Sequence, residues 1–225
     1  MKIYFIPGLG FDSRIFRNLN LVSADITYID WIAPISSKEN ISAYAARLAT
    51  KIEEAPEGTI LIGHSFGGVM CQEIARIKKV HKIILISSIK SRKELPFNFK
   101  ILKPLGLHKL FTKKLVVNTF QFWGSYQGYK STEEKELCLN MISKHSNKYL
   151  QWALGQLSMW SNLASSTGTT IIHIHGDFDK TFPISLINNP NVIIPNGDHF
   201  MVYKQPDIIS EILNKEIGNY NEKRY

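Results

Sequence analysis

The stretch Thr59-Ile60-Leu61-Ile62-Gly63-His64-Ser65-Phe66-Gly67-Gly68-Val69-Met70 constrains the chain more than any other, because it calls for a strand, a sharp turn and a helix in quick succession. Thr59 to Ile62 is uninterrupted and β-favouring, which reads as a buried strand; Val69 to Arg76 places its apolar residues at helical intervals. Between them the backbone must turn within very few atoms. Gly63 and Gly67 have no side chains to collide with the flanking strand and helix, so Ser65 can sit at the apex. Its hydroxyl then stands clear of the sheet, with the positive end of a helix beneath it.

Gly-x-Ser-x-Gly alone is a common turn composition. With a strand before it and a helix after it, the segment resembles the nucleophile elbow of the α/β-hydrolase family. The remaining alternation agrees. Ile3 to Ile6, Ile26 to Ile32 and Lys82 to Ile86 read as strands, and Ile41 to Glu54 reads as an amphipathic helix capped by Asn40 or Ser42 and broken by Pro56-Glu57-Gly58. Near-continuous apolar strands alternating with helices imply a parallel sheet covered on both faces. The resemblance implies an α/β fold of the α/β-hydrolase type, with a mainly parallel sheet of about six strands.

From Ile89 to Gly168 the alternation stops. Prolines and glycines punctuate an aromatic-rich stretch in which Thr132 to Ser143 and Lys148 to Trp160 read as helices. In the family an insertion here, after the sixth strand, forms a helical cap. The chain is therefore read as one domain, 1–225, with a cap over approximately 90–167 that encloses an apolar pocket. A helical subdomain burying its own aromatics is the plainer alternative. Thr169 to His175 and Asn191 to Ile194 complete the strands, Gln205 to Ile217 closes the fold as a helix, and 219–225 reads as a frayed polar tail.

A serine nucleophile needs a base, and the base needs an anion to fix its tautomer. Family order is serine, acid, histidine. Of seven histidines, His199 in Asn196-Gly197-Asp198-His199-Phe200 alone sits in a loop after a strand-end carboxylate loop, although Asp198 stands where the family has a small residue. His175-Gly176-Asp177-Phe178-Asp179 with Pro183 resembles the family's acid loop and selects Asp179, with Asp177 as runner-up or as a brace for the loop. His64 reads as elbow packing. The resemblance further implies an oxyanion hole from the backbone amides of Leu9, in Pro7-Gly8-Leu9 where histidine is usual in place of Pro7, and of Phe66. A metal reading of His173-x-His175-x-Asp177 leaves the elbow unexplained, and Phe178 stands where such clusters place another histidine. No metal or cofactor is expected.

Together these motifs point to a serine hydrolase acting on a small carboxylic ester or thioester through an acyl-enzyme. A non-catalytic binding or receptor protein on the same fold, or a C–C hydrolase or lyase with the same triad, are the alternatives. Charge bears on partners. The net charge is +8, yet the segment 76–114 carries twelve Lys plus Arg against the single acid Glu94. That basic cap flank fits an acidic carrier protein, an anionic group or simply a solvated surface. Nucleic acid is disfavoured for want of a matching motif. With two cysteines, a short apolar N-terminal run and no stretch near the ~20 residues that span a bilayer, the expected setting is cytoplasmic.

Overall fold

The computed structural model describes residues 1–22, 25–56, 58–162 and 168–222, the last four by their backbone alone. Six strands, β1 (Lys2–Ile6), β2 (Ile26–Tyr28), β3 (Thr59–His64), β4 (Lys82–Ile86), β5 (Thr170–Gly176) and β6 (Val192–Ile194), form one sheet in the order β2-β1-β3-β4-β5-β6. Every pairing is parallel. The central β3 and β4 are buried along their whole length, as strands covered on both faces must be, whereas the edge strands β2 and β6 are partly exposed.

The helices are α1 (Ile41–Leu48), α2 (Phe66–Ile74), α3 (Phe97–Lys100), α4 (Lys113–Asn118), α5 (Phe120–Trp123), α6 (Thr132–Lys144), α7 (Asn147–Met159), α8 (Met201–Lys204) and α9 (Pro206–Glu222). α3 to α7 all fall between β4 and β5, where the sequence places the helical insertion. Its expected end, 163–167, lies outside the described residues. α6 opens with a full capping box, Ser131 accepting from the Glu134 amide and Glu134 reaching back to Ser131. No helix among the described residues is long and apolar enough to cross a membrane.

Two expected elements are clearly shorter than their sequence pattern. β2 ends at Tyr28 rather than Ile32, because the chain leaves the sheet to place Ile32 on Tyr44: its amide donates to the phenol oxygen at 3.1 Å and its carbonyl accepts the phenol proton at 2.8 Å. α1 ends at Leu48, and after one 3₁₀ turn the backbone extends at Ile52, drawn by burial of that side chain and by a 3.0 Å bond from the Glu53 amide to Tyr4 Oη. After β1, Asp12 caps a 3₁₀ turn, Ser13–Phe16. At the other end α9 runs on to Glu222, past the expected start of a polar tail, and 223–225 lie outside the described residues.

The candidate active site

Ser65 caps the N-terminus of α2 with φ 52° and ψ −121°, a left-handed conformation that side chains rarely adopt. The surrounding contacts hold it there. Its amide donates to Ile86 O at 2.9 Å, and its carbonyl accepts from Ser88 Oγ at 2.7 Å and from the Gly68 amide at 3.0 Å. The flanking glycines are sterically required. A Cβ on Gly63 would lie 2.4 Å from the Gly68 backbone, and one on Gly67 would lie 2.1 Å from Ile6 O. Both obstacles are backbone, which cannot swing aside. Gly67→Ala is accordingly expected to destabilise the fold by about 1–3 kcal/mol, read as a lower midpoint in urea denaturation; an unchanged midpoint would contradict the close approach.

The structure brings the three side chains singled out from the sequence into one hydrogen-bonded chain. Ser65 Oγ lies 2.9 Å from His199 Nε2, and His199 Nδ1 lies 2.8 Å from Asp179 Oδ2. The carboxylate can only accept, so Nδ1 carries the proton and Nε2 is left to accept from the serine. Asp179 Oδ1 accepts two backbone amides, Thr181 and Phe182, each at 2.9 Å. Burial by itself would raise this carboxyl; the electrostatic pull and hydrogen bond of His199, then His175 and the Phe182 amide, outweigh it and hold Asp179 below the usual carboxylate value. Asp177 is exposed, and the brace expected of it is made by Asp179 itself.

Histidines surround this chain. His64 is more than packing: its Nε2–H donates to His199 O at 2.8 Å and so fixes the backbone of the candidate base. Burial first, then the proximity of His199, pushes His64 down to about 3, so it stays neutral. Behind Asp179, His175 Nε2–H donates to Phe182 O at 2.8 Å, while its Nδ1 lies 3.2 Å from His173 Nε2, which also faces Ser88 O at 3.0 Å. Both imidazoles of the His-x-His pair are thus oriented by backbone carbonyls. Asp198, at odds with the family loop, receives Lys204 Nζ, which also donates to Gly128 O at 2.8 Å. It fastens the His199 loop to the helical insertion.

The loop after β1 closes over the serine. A Cβ on Gly8 would lie 2.8 Å from His64 Nδ1 and 3.1 Å from Ser65 Cβ, so glycine permits the approach. Trp31 Nε1 holds the loop by donating to Gly8 O at 3.0 Å. Sequence reading missed Trp31, which it placed inside the strand expected over Ile26 to Ile32; a lone tryptophan in that run was its only signal. Neither the Leu9 nor the Phe66 amide donates to a described residue. Both remain free donors next to Ser65.

Ser65 and His199 open on a cavity of about 330 Å³. Its wall includes Leu9 and Phe11 from the β1 loop, and Phe99, Phe111, Val116, Trp123, Ile142, Leu154 and Leu157 from the insertion. Among the described residues no Lys, Arg, Asp or Glu lines it. The polar exceptions include Gln127 and Thr181, whose hydroxyl donates to Gln127 Oε1 at 2.8 Å and leaves the amide NH₂ available.

Comparison with known proteins agrees with this architecture. MenH from S. aureus is 17% identical with a TM-score of 0.74, over 98% of this chain and 94% of that one. A thermophilic esterase is 17% identical with a TM-score of 0.73, over 97% and 90%. The esterase EaEST from Exiguobacterium antarcticum is 12% identical with a TM-score of 0.72, over 97% and 92%. At such identities the likeness is one of fold. No curated protein matches. A family model described as the alpha/beta hydrolase family matches residues 3–212, nearly the whole chain. With the parallel sheet, the strained serine at its strand-to-helix turn and the insertion above it, the chain belongs to the α/β-hydrolase family.

Proposed function

We propose that the protein is a serine hydrolase that cleaves an ester or thioester of an uncharged, apolar acyl group through an acyl-enzyme on Ser65. The observation that carries this reading is that the Asp179–His199–Ser65 chain ends at an apolar cavity. His199 Nε2 takes the Ser65 proton as Oγ attacks the carbonyl carbon. The Leu9 and Phe66 amides receive the oxyanion, His199 protonates the leaving group, and water activated by the same nitrogen releases the acid. Asp179 keeps the imidazole in the required tautomer and stabilises the imidazolium.

Among the described residues the wall supplies no Lys or Arg to pair with a carboxylate in the acyl group, and burying that charge unpaired is costly. The volume, near the lower end of the roughly 300–1,000 Å³ typical of ligand pockets, favours a short or medium chain. The experiment is a nitrophenyl ester series from acetate upward, run on wild type and on Leu154→Trp. We expect kcat/KM to rise with chain length and then fall. Narrowing the cavity should move the optimum to shorter chains, with about a tenfold loss on the ester that wild type prefers. No hydrolysis of any member, or an optimum unmoved by Leu154→Trp, would count against this reading.

A further inference from the structure

A second, larger concavity of about 630 Å³ lies on the opposite side of α7 from the acyl cavity: Leu154 and Leu157 face the acyl cavity, and Gly155 and Gln156 this one. Among the described residues its wall holds Lys38, Lys103, Lys109 and Lys148 and no acid. These four come from the loop before α1, the segment before α4, and α7, so the fold, not one basic run, gathers them. The ammonium groups of Lys38, Lys103 and Lys109 make no hydrogen bond or ion pair among the described residues, and Lys148 Nζ donates only to Ile35 O at 2.9 Å. The nearest acid in sequence, Glu39, is already committed to Arg47 at 2.9 Å and to the Ile35 amide at 2.7 Å.

Two further groups add directed hydrogen-bonding atoms to its wall. Gln156 is only 8% exposed, yet its side-chain amide has no hydrogen bond among the described residues. Its amide atoms still reach solvent at the cavity, so both the NH₂ and the oxygen are open to a ligand there. His108 lies flat on α7 because residue 155 is glycine: a Cβ there would meet its Cδ2 at 2.9 Å. Its Nδ1 faces Leu102 O at 3.4 Å, and its Nε2 is unpartnered among the described residues.

We propose that this cavity binds a phosphate-bearing anion of pyrophosphate to nucleotide size. Four uncompensated ammonium groups around a concavity repel one another, and an anion carrying two or more charges relieves that repulsion. Lysines recognise phosphate as point charges without the planar fork that a carboxylate favours, while Gln156 and His108 add directed hydrogen bonds. The volume exceeds what a single inorganic phosphate fills and lies within the range of nucleotide-sized ligands. The anion is either the phosphorylated handle of a thioester substrate, which rests on the serine-hydrolase reading, or a free phosphorylated metabolite.

Titration calorimetry of the whole chain in chloride buffer, with inorganic pyrophosphate and with adenosine 3′,5′-bisphosphate, tests the proposal. Saturable one-to-one binding is expected, weakening with salt. Lys103→Glu with Lys109→Glu should weaken it about tenfold or more, and Gln156→Leu, which changes no charge, several-fold. Absence of saturable binding, or affinity unchanged by both variants, overturns the proposal. Ser65→Ala should bind as wild type does, which separates this site from the hydrolase reading. A second comparison distinguishes the sources: a loss of kcat/KM greater for an acyl-coenzyme A than for the nitrophenyl ester of the same acyl group assigns the site to the substrate handle, and equal effects on the two assign it to a free anion.

Discussion

Ser65→Ala is expected to lower kcat by roughly 10⁴-fold or more on any ester the wild type accepts, because removal of Oγ leaves only the oxyanion donors and binding to accelerate hydrolysis. The loss should be chemical. Ser65 Oγ bonds only to His199 Nε2 among the described residues, and the bonds that hold the elbow use the residue's backbone. Thermal midpoint should therefore change little. His199→Ala should cost about as much, and the double variant no more than either alone, since the groups act as a unit. Intact mass after a fluorophosphonate supplies an independent readout: one adduct on wild type, none on Ser65→Ala. A variant that retains activity, or that still takes the adduct, would place the nucleophile elsewhere.

How far the sequence reveals this arrangement depends on whether a residue's role is decided locally. At the elbow it is: the turn fits only if 63 and 67 lack side chains, and that requirement appears as letters in the chain. The order of the acid and histidine loops is likewise linear information. Choosing between Asp177 and Asp179 is less local, since it depends on which carboxylate meets the amides of Thr181 and Phe182. The role of Trp31 depends on a carbonyl in a separate loop, and that of His64 on a carbonyl 135 residues away. Neither leaves a pattern at short range. Charge shows the same limit. The basic window 76–114 includes Arg76, which pairs with Glu73 at 3.4 Å, and Lys82, which pairs with Glu216 at 2.9 Å. It omits Lys38 and Lys148, which help to line the basic cavity. Counting charges along the chain finds an excess; only the fold says which of them converge.

Acidification from pH 7.5 to 5.5 is expected to destabilise the protein by roughly 3 kcal/mol or more, through histidines that the folded state keeps neutral. His64, His173 and His175 are each fully buried. Burial, assisted by neighbouring imidazoles, pushes His64 and His173 down to about 3 and lowers His175, against the opposing pull of Asp179 on all three. Lys90 adds to the lowering of His173, while Glu94 opposes that of His175. The unfolded chain, with ordinary imidazoles near 6.5, binds these protons first. Stability is thus complete above about pH 6.5 and lost progressively as pH falls toward about 3, at up to roughly 1.4 kcal/mol per unit for each histidine. Asp179 does not interfere, since its depressed value sets its own loss below the ordinary carboxylate range. Urea denaturation at several pH values measures the slope. His64→Gln and His173→Gln should each flatten it by up to roughly 1.4 kcal/mol per pH unit, whatever either does to stability at neutral pH. A midpoint that does not move between pH 7.5 and 5.5 would mean that these imidazoles take up protons in the folded state. His64 would then carry a positive charge beside the base that must itself become an imidazolium, and the proposed chemistry would lose the neutral surroundings on which it depends.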